Sequence, residues 1–257
     1  MIVRLLLAAL AAGLIAGMAM TPAQYVKIVP LILQAETYEG GSHDHGAAEA
    51  VSSTAAAGPE TAEVTASAAH GHDANDQAYD EGDESMLGLG RLGDTVLANL
   101  VAGAGFALML AAVALIAGIA FPAGRDGLMR GLLLGAGAWF CVQLAPSFGL
   151  PPAVPGFPHA DLADRQSWWM LTVGLSAVGL WLVALRPEAI AKALGVALIA
   201  APHVWGAPVP GDLSSDVPAY LASAYAAASL ATTLFFWLLL GGLLAHFLSR
   251  IPEGQRA

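Results

Sequence analysis

Apolar residues occur along this chain in six long runs, which polar or proline-rich segments separate. The runs cover residues 1–20, 95–121, 128–145, 167–185, 189–204 and 219–248. A helix of about 20 apolar residues is long enough to cross the hydrocarbon layer of a bilayer. The fifth run is short, about 24 Å at helical rise, so it either crosses a thinned bilayer or enters without crossing. The pattern predicts an all-α polytopic membrane bundle of about six transmembrane helices, or five if the first or the fifth does not count.

The first run leaves two interpretations open, a cleaved signal peptide or a permanent helix. Apolar character resumes between Tyr25 and Leu33, which favours an uncleaved helix kinked at Pro22 and Pro30. Four regions are predicted: residues 1–33, the first helix and its extension; 34–94, an acidic His-rich external loop; 95–250, a five-helix membrane core; and 251–257, a cytoplasmic tail.

Glycines at 88–93 fit a dinucleotide-binding pattern, but only formally. That pattern needs a strand before it and a helix opening after it, whereas here an acidic tract precedes and a membrane segment follows. We expect the glycines to form a turn at the entry to the membrane, with Asp94 or Thr95 capping the next helix.

The composition agrees with a membrane protein, since 57% of the residues are apolar and only 12% are charged. Soluble proteins contain about 25% charged residues. The single Cys141 makes no disulfide within the chain and is expected to be a small buried residue. Because no nucleophile is paired with a base and no charged residue lies mid-membrane, an enzyme is the weakest of the functional readings.

The basic residues predict the orientation of the bundle. With a cytoplasmic N-terminus and six crossings, seven of the ten Lys and Arg residues fall on the cytoplasmic side, as the positive-inside rule prefers. If the fifth run did not cross, the split would be five against five. Of the twenty acidic residues, seventeen then lie outside. Such a surface attracts divalent cations and repels anions, so no nucleic-acid partner is expected.

The external loop is predicted to be disordered, because it has too few bulky apolar residues to fold on itself. It contains two pairs of alternating histidines, His43 with His45 and His70 with His72, among many carboxylates. Imidazoles presented in this way can capture a divalent transition metal weakly. The alternative is a solvated acidic loop that merely contains histidines.

Polar residues inside the runs concentrate near the outer ends and share helix faces. Thr172 and Ser176 follow Trp168 at a spacing of four, and Ser229 follows Tyr225 likewise. Together with Gln143 and His203, the two stripes predict a wet vestibule that opens outward. The alternative is ordinary hydrogen bonding by hydroxyl groups between helices. His203 itself is either a metal ligand or a helix terminator.

A proline-rich loop between the third and fourth runs is expected to hold a defined shape. It ends in His159, Asp161 and Arg165, where the chain re-enters the membrane. Glu36, just past the first hydrophobic segment, is expected at the same outer level. We predict that a metal ion passes from the loop to the core at Glu36, His159, Asp161 and His203, because carboxylate and imidazole suit Co²⁺.

Four segments, RLLLAALAAGLIAG, VPLILQAETYE, GLPPAVPGFPHADLADRQSWW and APHVWGAP, together resemble the predicted cobalt transporter subunit family CbtA. The resemblance implies Co²⁺ uptake, with Ni²⁺ possible, across a bacterial inner membrane to serve cobalamin synthesis. It also implies a small single-span His-rich partner, CbtB, no tightly bound cofactor, and five membrane segments rather than six. The competing hypothesis is a membrane metal receptor or sensor that presents ions to a partner without transporting them.

Overall fold

The computed structural model describes residues 2–39 and 90–251. Every regular element in these residues is helical. The helices are α1 Ile2–Lys27, α2 Val29–Glu39, α3 Gly90–Ile116, α4 Arg125–Trp139, α5 Ala145–Ser147, α6 Leu162–Leu185, α7 Ala189–Trp205 and α8 Ala219–Ser249. A π-helical turn, Phe140–Leu144, joins α4 to α5 without a break in the helical path. The prediction of an all-α membrane bundle is confirmed.

Five of the helical segments are long and apolar enough to cross a membrane. They are Ile2–Lys27, Leu92–Ile116, Arg125–Ser147, Leu162–Leu185 and Ala219–Ser249. The fifth hydrophobic run forms the shorter apolar helix α7. It lies antiparallel to α6, because the Trp168 indole near the start of α6 donates a hydrogen bond to the Pro202 carbonyl near the end of α7, at 3.3 Å. Thus α7 returns to the level at which α6 begins, and the helices alternate in direction.

Glycines bring three pairs of helices into backbone contact. In lipid the hydrophobic effect does not drive helices together, so small residues that allow close backbone packing take its place. Between α1 and α3, a Cβ added at Gly13 would overlap the Gly103 carbonyl. Between α4 and α8, a Cβ at Gly131 would overlap the Gly241 carbonyl. Between α6 and α7, a Cβ added at Gly179 would overlap the Gly195 carbonyl. These contacts fix which helices are neighbours.

The largest buried cluster lies where α1, α3 and α8 meet. Trp237 of α8 is 1% exposed and contacts Phe106 of α3, with ring centroids 5.0 Å apart. Leu240 and Leu244 continue the same face of α8, against the small residues of α1 and Leu110 of α3. The aromatic rings on α8 therefore pack against helices that contribute alanine and glycine.

The two ends of the bundle differ in charge. The basic end, where α1 begins, carries six described Lys and Arg residues and two acids. These are Arg4, Arg125, Arg130, Arg186, Lys192, Arg250, Asp126 and Glu188. The acidic end, where α6 begins, carries Glu36, Asp94, Asp161, Asp164, Asp212 and Asp216, with Lys27 and Arg165 as the basic side chains that the structure describes there.

The predicted helix boundaries need two corrections. Helix α3 begins at Gly90, so Asp94 and Thr95 lie within it and do not cap it. The first hydrophobic segment breaks at Ile28 and continues as α2 to Glu39, beyond the predicted limit of residue 33. Both differences arise because hydropathy marks the apolar part of a helix, and polar turns extend past it.

Asp161 provides the cap of α6, and Arg165 lies inside the first turns of this helix. The Asp161 carboxylate accepts the backbone N–H groups of Ala163 and Asp164 at 2.8 and 3.4 Å. An aspartate at this position satisfies amides that otherwise have no partner at a helix start.

Candidate functional site

A layer of packed residues covers the acidic end of the bundle. It joins α2, the loop between α5 and α6, and the start of α8 through Ala35, Val154, Val217 and Leu221, which are at most 5% exposed. The loop therefore has a defined shape, as its prolines predict. We refer to this layer as the outer layer.

Hydrogen bonds tie the outer layer together. Gln34 of α2 donates to the Tyr220 hydroxyl of α8 at 3.1 Å. A hydrogen bond to the same Tyr220 raises the pKa of Tyr38. Ser215 donates to the Gly156 carbonyl at 3.0 Å, which links the segment before α8 to the loop before α6. Thus the last turns of α2, where the external loop begins, are attached to α8.

His203, near the end of α7, is half-buried and contacts two aromatic rings. Its ring meets Phe148 and Trp168 edge-on, with centroids 6.0 and 5.9 Å away. Trp168 is oriented by its hydrogen bond to Pro202, the residue before His203. Among the described residues neither imidazole nitrogen makes a hydrogen bond, so ring packing holds the side chain and the unprotonated nitrogen is left for a metal ion.

The other predicted ligands share the acidic end with His203 but form no common shell. Glu36 is half-buried on α2, and His159 is exposed on the loop. One oxygen of Asp161 is engaged in capping α6. In residues 2–39 and 90–251, no three His, Cys, Asp or Glu side chains are grouped closely enough to hold a metal ion. The histidine pairs His43 with His45 and His70 with His72 lie outside the described residues.

The polar stripe of α6 does not line an open vestibule. Trp168 is 8% exposed, and Thr172 and Ser176 are fully buried. The Thr172 hydroxyl donates to the Trp168 carbonyl at 2.8 Å, one turn earlier in the same helix. Thr172 therefore follows the alternative of ordinary helix bonding, and the roles of Trp168, Thr172 and Ser176 in transport stay predictions.

The stripe of α8 divides between two environments. Tyr225 packs in the outer layer. The Ser229 carbonyl accepts hydrogen bonds from Thr232 and Thr233, at 3.1 and 2.8 Å. Trp139 of α4 donates to Thr233 at 3.2 Å, which fixes α4 against α8 at this level. The Thr233 hydroxyl thus joins two helices, whereas the Thr232 hydroxyl bonds within α8.

Two further predicted residues lie near the junction of α4 and α6. Gln143 is half-buried in the π-helical turn. Arg165 is also half-buried, and its buried Nε has no hydrogen-bond partner in the part of the chain that the structure describes. Neither residue contacts another predicted ligand through a hydrogen bond, so their roles in transport stay predictions.

One polar contact between α1 and α3 was not predicted from the sequence. Asn99 of α3 donates to Thr21 at 3.0 Å and to Gln24 at 2.6 Å, both on α1. The three side chains join α1 and α3 just beyond the Gly17 contact. The sequence carried a signal for this contact, because Thr21 and Gln24 are polar residues one turn apart on the same face of α1.

A carboxylate of the last loop is also held by its neighbours. Asp212 accepts hydrogen bonds from the Ser214 backbone amide and hydroxyl, at 2.9 and 2.7 Å. These bonds lower the pKa of Asp212. The carboxylate therefore stays charged at the acidic end.

Comparison with known families gives a match over nearly the whole chain. A family model described as probable cobalt transporter subunit (CbtA) matches residues 2–249. The chain belongs to the CbtA family. Comparisons with curated proteins and with solved structures found no match. The CbtA match covers every helix described above, and with the five candidate spans it identifies a multi-pass membrane protein, a probable subunit of a cobalt transporter.

Proposed function

We propose that this CbtA protein carries Co²⁺ into the cell across the bacterial inner membrane, together with a small single-span His-rich subunit. The family match over residues 2–249 is the observation that carries the proposal. The family description calls the protein a subunit, which implies a partner.

The charge difference between the two ends supports the direction of transport. Basic residues at membrane boundaries are retained in the cytoplasm, so the basic end is the cytoplasmic end. The acidic end, with the external loop attached to α2 and α3, then faces the periplasm. An acidic surface raises the local concentration of divalent cations before any ligand binds them.

His203 is the best-placed entry ligand in the described residues. It lies half-buried at the acidic end, and aromatic packing leaves its ring nitrogens without hydrogen bonds. Imidazole binds Co²⁺, and the same site would bind Ni²⁺ at least as tightly by the general order of affinities. One histidine holds an ion weakly, so the ion can leave again. Selectivity would then depend on ligands from Glu36, His159 or the partner.

Cobalt uptake into proteoliposomes tests this function directly. The protein, with and without its small partner, is reconstituted and supplied with radiolabelled Co²⁺ outside. A membrane-impermeant chelator then removes all metal that has not crossed. We expect cobalt that resists the chelator and is released by detergent. If all bound cobalt stays accessible to the chelator with the partner present, the protein is a receptor and the transport proposal is wrong.

A further inference from the structure

The π-helical turn between α4 and α5 leaves backbone carbonyls without helical donors. The Ala145 N–H bonds to the Phe140 carbonyl, five residues back, and Pro146 has no N–H. The Phe148 N–H bonds to the Ala145 carbonyl, and the N–H groups at 149 and 150 bond to the Pro146 carbonyl. Only the Ser147 N–H therefore remains for the four carbonyls of residues 141–144.

The Ser147 hydroxyl supplies one more hydrogen bond, to the Leu144 carbonyl at 2.7 Å. The Ser147 N–H and the Ser147 hydroxyl are thus the two donors for the four carbonyls of residues 141–144. At least two of these carbonyls have no donor from their own helix. Unpaired carbonyls are costly at membrane depth unless they face protein groups, water or an ion. π-Helical turns inside α-helices occur frequently at functional sites.

A buried hydroxyl without a partner lies on the helix that packs against this turn. Ser176 of α6 is fully buried, and its Oγ has no hydrogen-bond partner among the described residues. Two contacts fix the register between the segments: Gly149 lies against the Trp168 ring, and Gly137 against Leu180. This register sets Ser176 at the level of Cys141, the second residue of the π-helical turn, and that turn contacts α6.

The oxygen atoms at this junction are all neutral. Residues 139–147 and 166–185 contain no Asp or Glu. A divalent ion buried without an anionic ligand would lose more hydration energy than neutral oxygens return. Carbonyl and hydroxyl oxygens beside an irregular helical segment are the ligands with which membrane transporters hold Na⁺.

We propose that the junction of the π-helical turn and α6 binds a monovalent cation of the sodium class. Its ligands are Ser176 Oγ and unpaired carbonyls of residues 141–144. Thr172 lies one turn above Ser176, and its hydroxyl hydrogen is engaged by the Trp168 carbonyl. The lone pairs of that hydroxyl therefore remain for the ion. The site is separate from His203 and requires no cobalt.

The test uses purified full-length protein in detergent, without cobalt. Its Tm is measured in sodium chloride and in choline chloride at equal ionic strength, and binding of radiolabelled Na⁺ is measured by equilibrium dialysis. We expect one Na⁺ per chain and a Tm about 3 °C higher in sodium, because a ligand that binds only the folded state stabilises it. Equal Tm values without Na⁺ binding would overturn the proposal.

Two variants locate the ion. Ser176→Ala should lose both the bound Na⁺ and the sodium-dependent rise in Tm. Ser167→Ala is the matched control, since it removes a hydroxyl from the same helix that donates to the Asp164 carbonyl, and it should keep both. If Ser176→Ala does not fold, Ser176→Cys keeps the size of the side chain and replaces the hard oxygen. Retained Na⁺ binding in a folded Ser176 variant would contradict the assignment.

Cobalt transport and sodium binding are tested separately by these measurements. A protein that moves no cobalt can still bind Na⁺ through Ser176, and a protein without the sodium site can still carry cobalt. Failure of one proposal therefore leaves the other unaffected.

Discussion

Gly179→Ala should separate α6 from α7 and thereby move His203. A Cβ at Gly179 would lie 2.5 Å from the Gly195 carbonyl oxygen and 2.7 Å from Ile199 Cγ1. Ordinary contacts of such atoms begin at 3.4 Å. The backbone of α7 therefore has to retreat by roughly an ångström to restore van der Waals separation. Because α7 packs mainly on α6, this movement reaches Pro202 and His203 at its far end.

The stability change follows from two opposing terms. Overpacking costs about 1–3 kcal/mol. Replacing glycine by alanine within a helix returns roughly 0.5–1 kcal/mol. The net loss is therefore at most about 2.5 kcal/mol, which lowers Tm by up to about 10 °C for a chain of this size. Thermal unfolding of the purified protein in detergent measures the difference.

Gly174→Ala provides the matched control. Gly174 lies in the same helix, and an added Cβ there meets no atom within 4 Å. It should keep or slightly raise Tm, since it gains helix propensity without a clash. If Gly179→Ala is as stable as Gly174→Ala, α6 and α7 are not in backbone contact and the position assigned to His203 is wrong.

Three further predictions test the orientation, the external loop and the packing. For the orientation, single cysteines are placed in a Cys141→Ala background, and an impermeant thiol reagent is applied to intact cells whose outer membrane has been made permeable. The reagent should label His159→Cys and should not label Arg125→Cys. The reverse pattern would show that the topology is the opposite of the one proposed. Deleting residues 41–83 should leave Tm nearly unchanged while lowering the number of divalent ions bound at equilibrium, and unfolding of the membrane domain would contradict this. Trp139→Phe removes an indole N–H that bonds to α8 and should cost about 1 kcal/mol, measured as a lower Tm; an unchanged Tm would show that this bond contributes nothing.

The hydrophobic pattern predicted the helices because each run must satisfy its backbone internally in lipid. It did not predict where the helices end. Helix α3 extends to Gly90 through a polar turn, and α2 continues to Glu39. Lipid imposes no constraint on these turns, so hydropathy carries no signal for them. The Asp161 cap, by contrast, was readable, since aspartate before an apolar run is a common helix start.

The burial of Thr172 and Ser176 on α6 was not predicted, for a different reason. Ser and Thr look polar in a sequence, but Thr172 satisfies its hydroxyl with a carbonyl of its own helix and can remain buried. The aromatic contacts of His203 were also hidden, because Phe148 and Trp168 belong to other elements.

The central claim, that cobalt enters the membrane at the acidic end past His203, is tested most directly by His203→Gln. Initial uptake of labelled Co²⁺ into proteoliposomes containing the partner is measured at limiting cobalt, with His246→Gln as the control. His246 lies near the opposite end, on α8, where it contacts Phe247. We expect uptake to fall at least about tenfold in His203→Gln, by analogy with lost metal-site interactions, with Tm retained and with His246→Gln unaffected. Wild-type uptake by a folded His203→Gln protein would contradict the account.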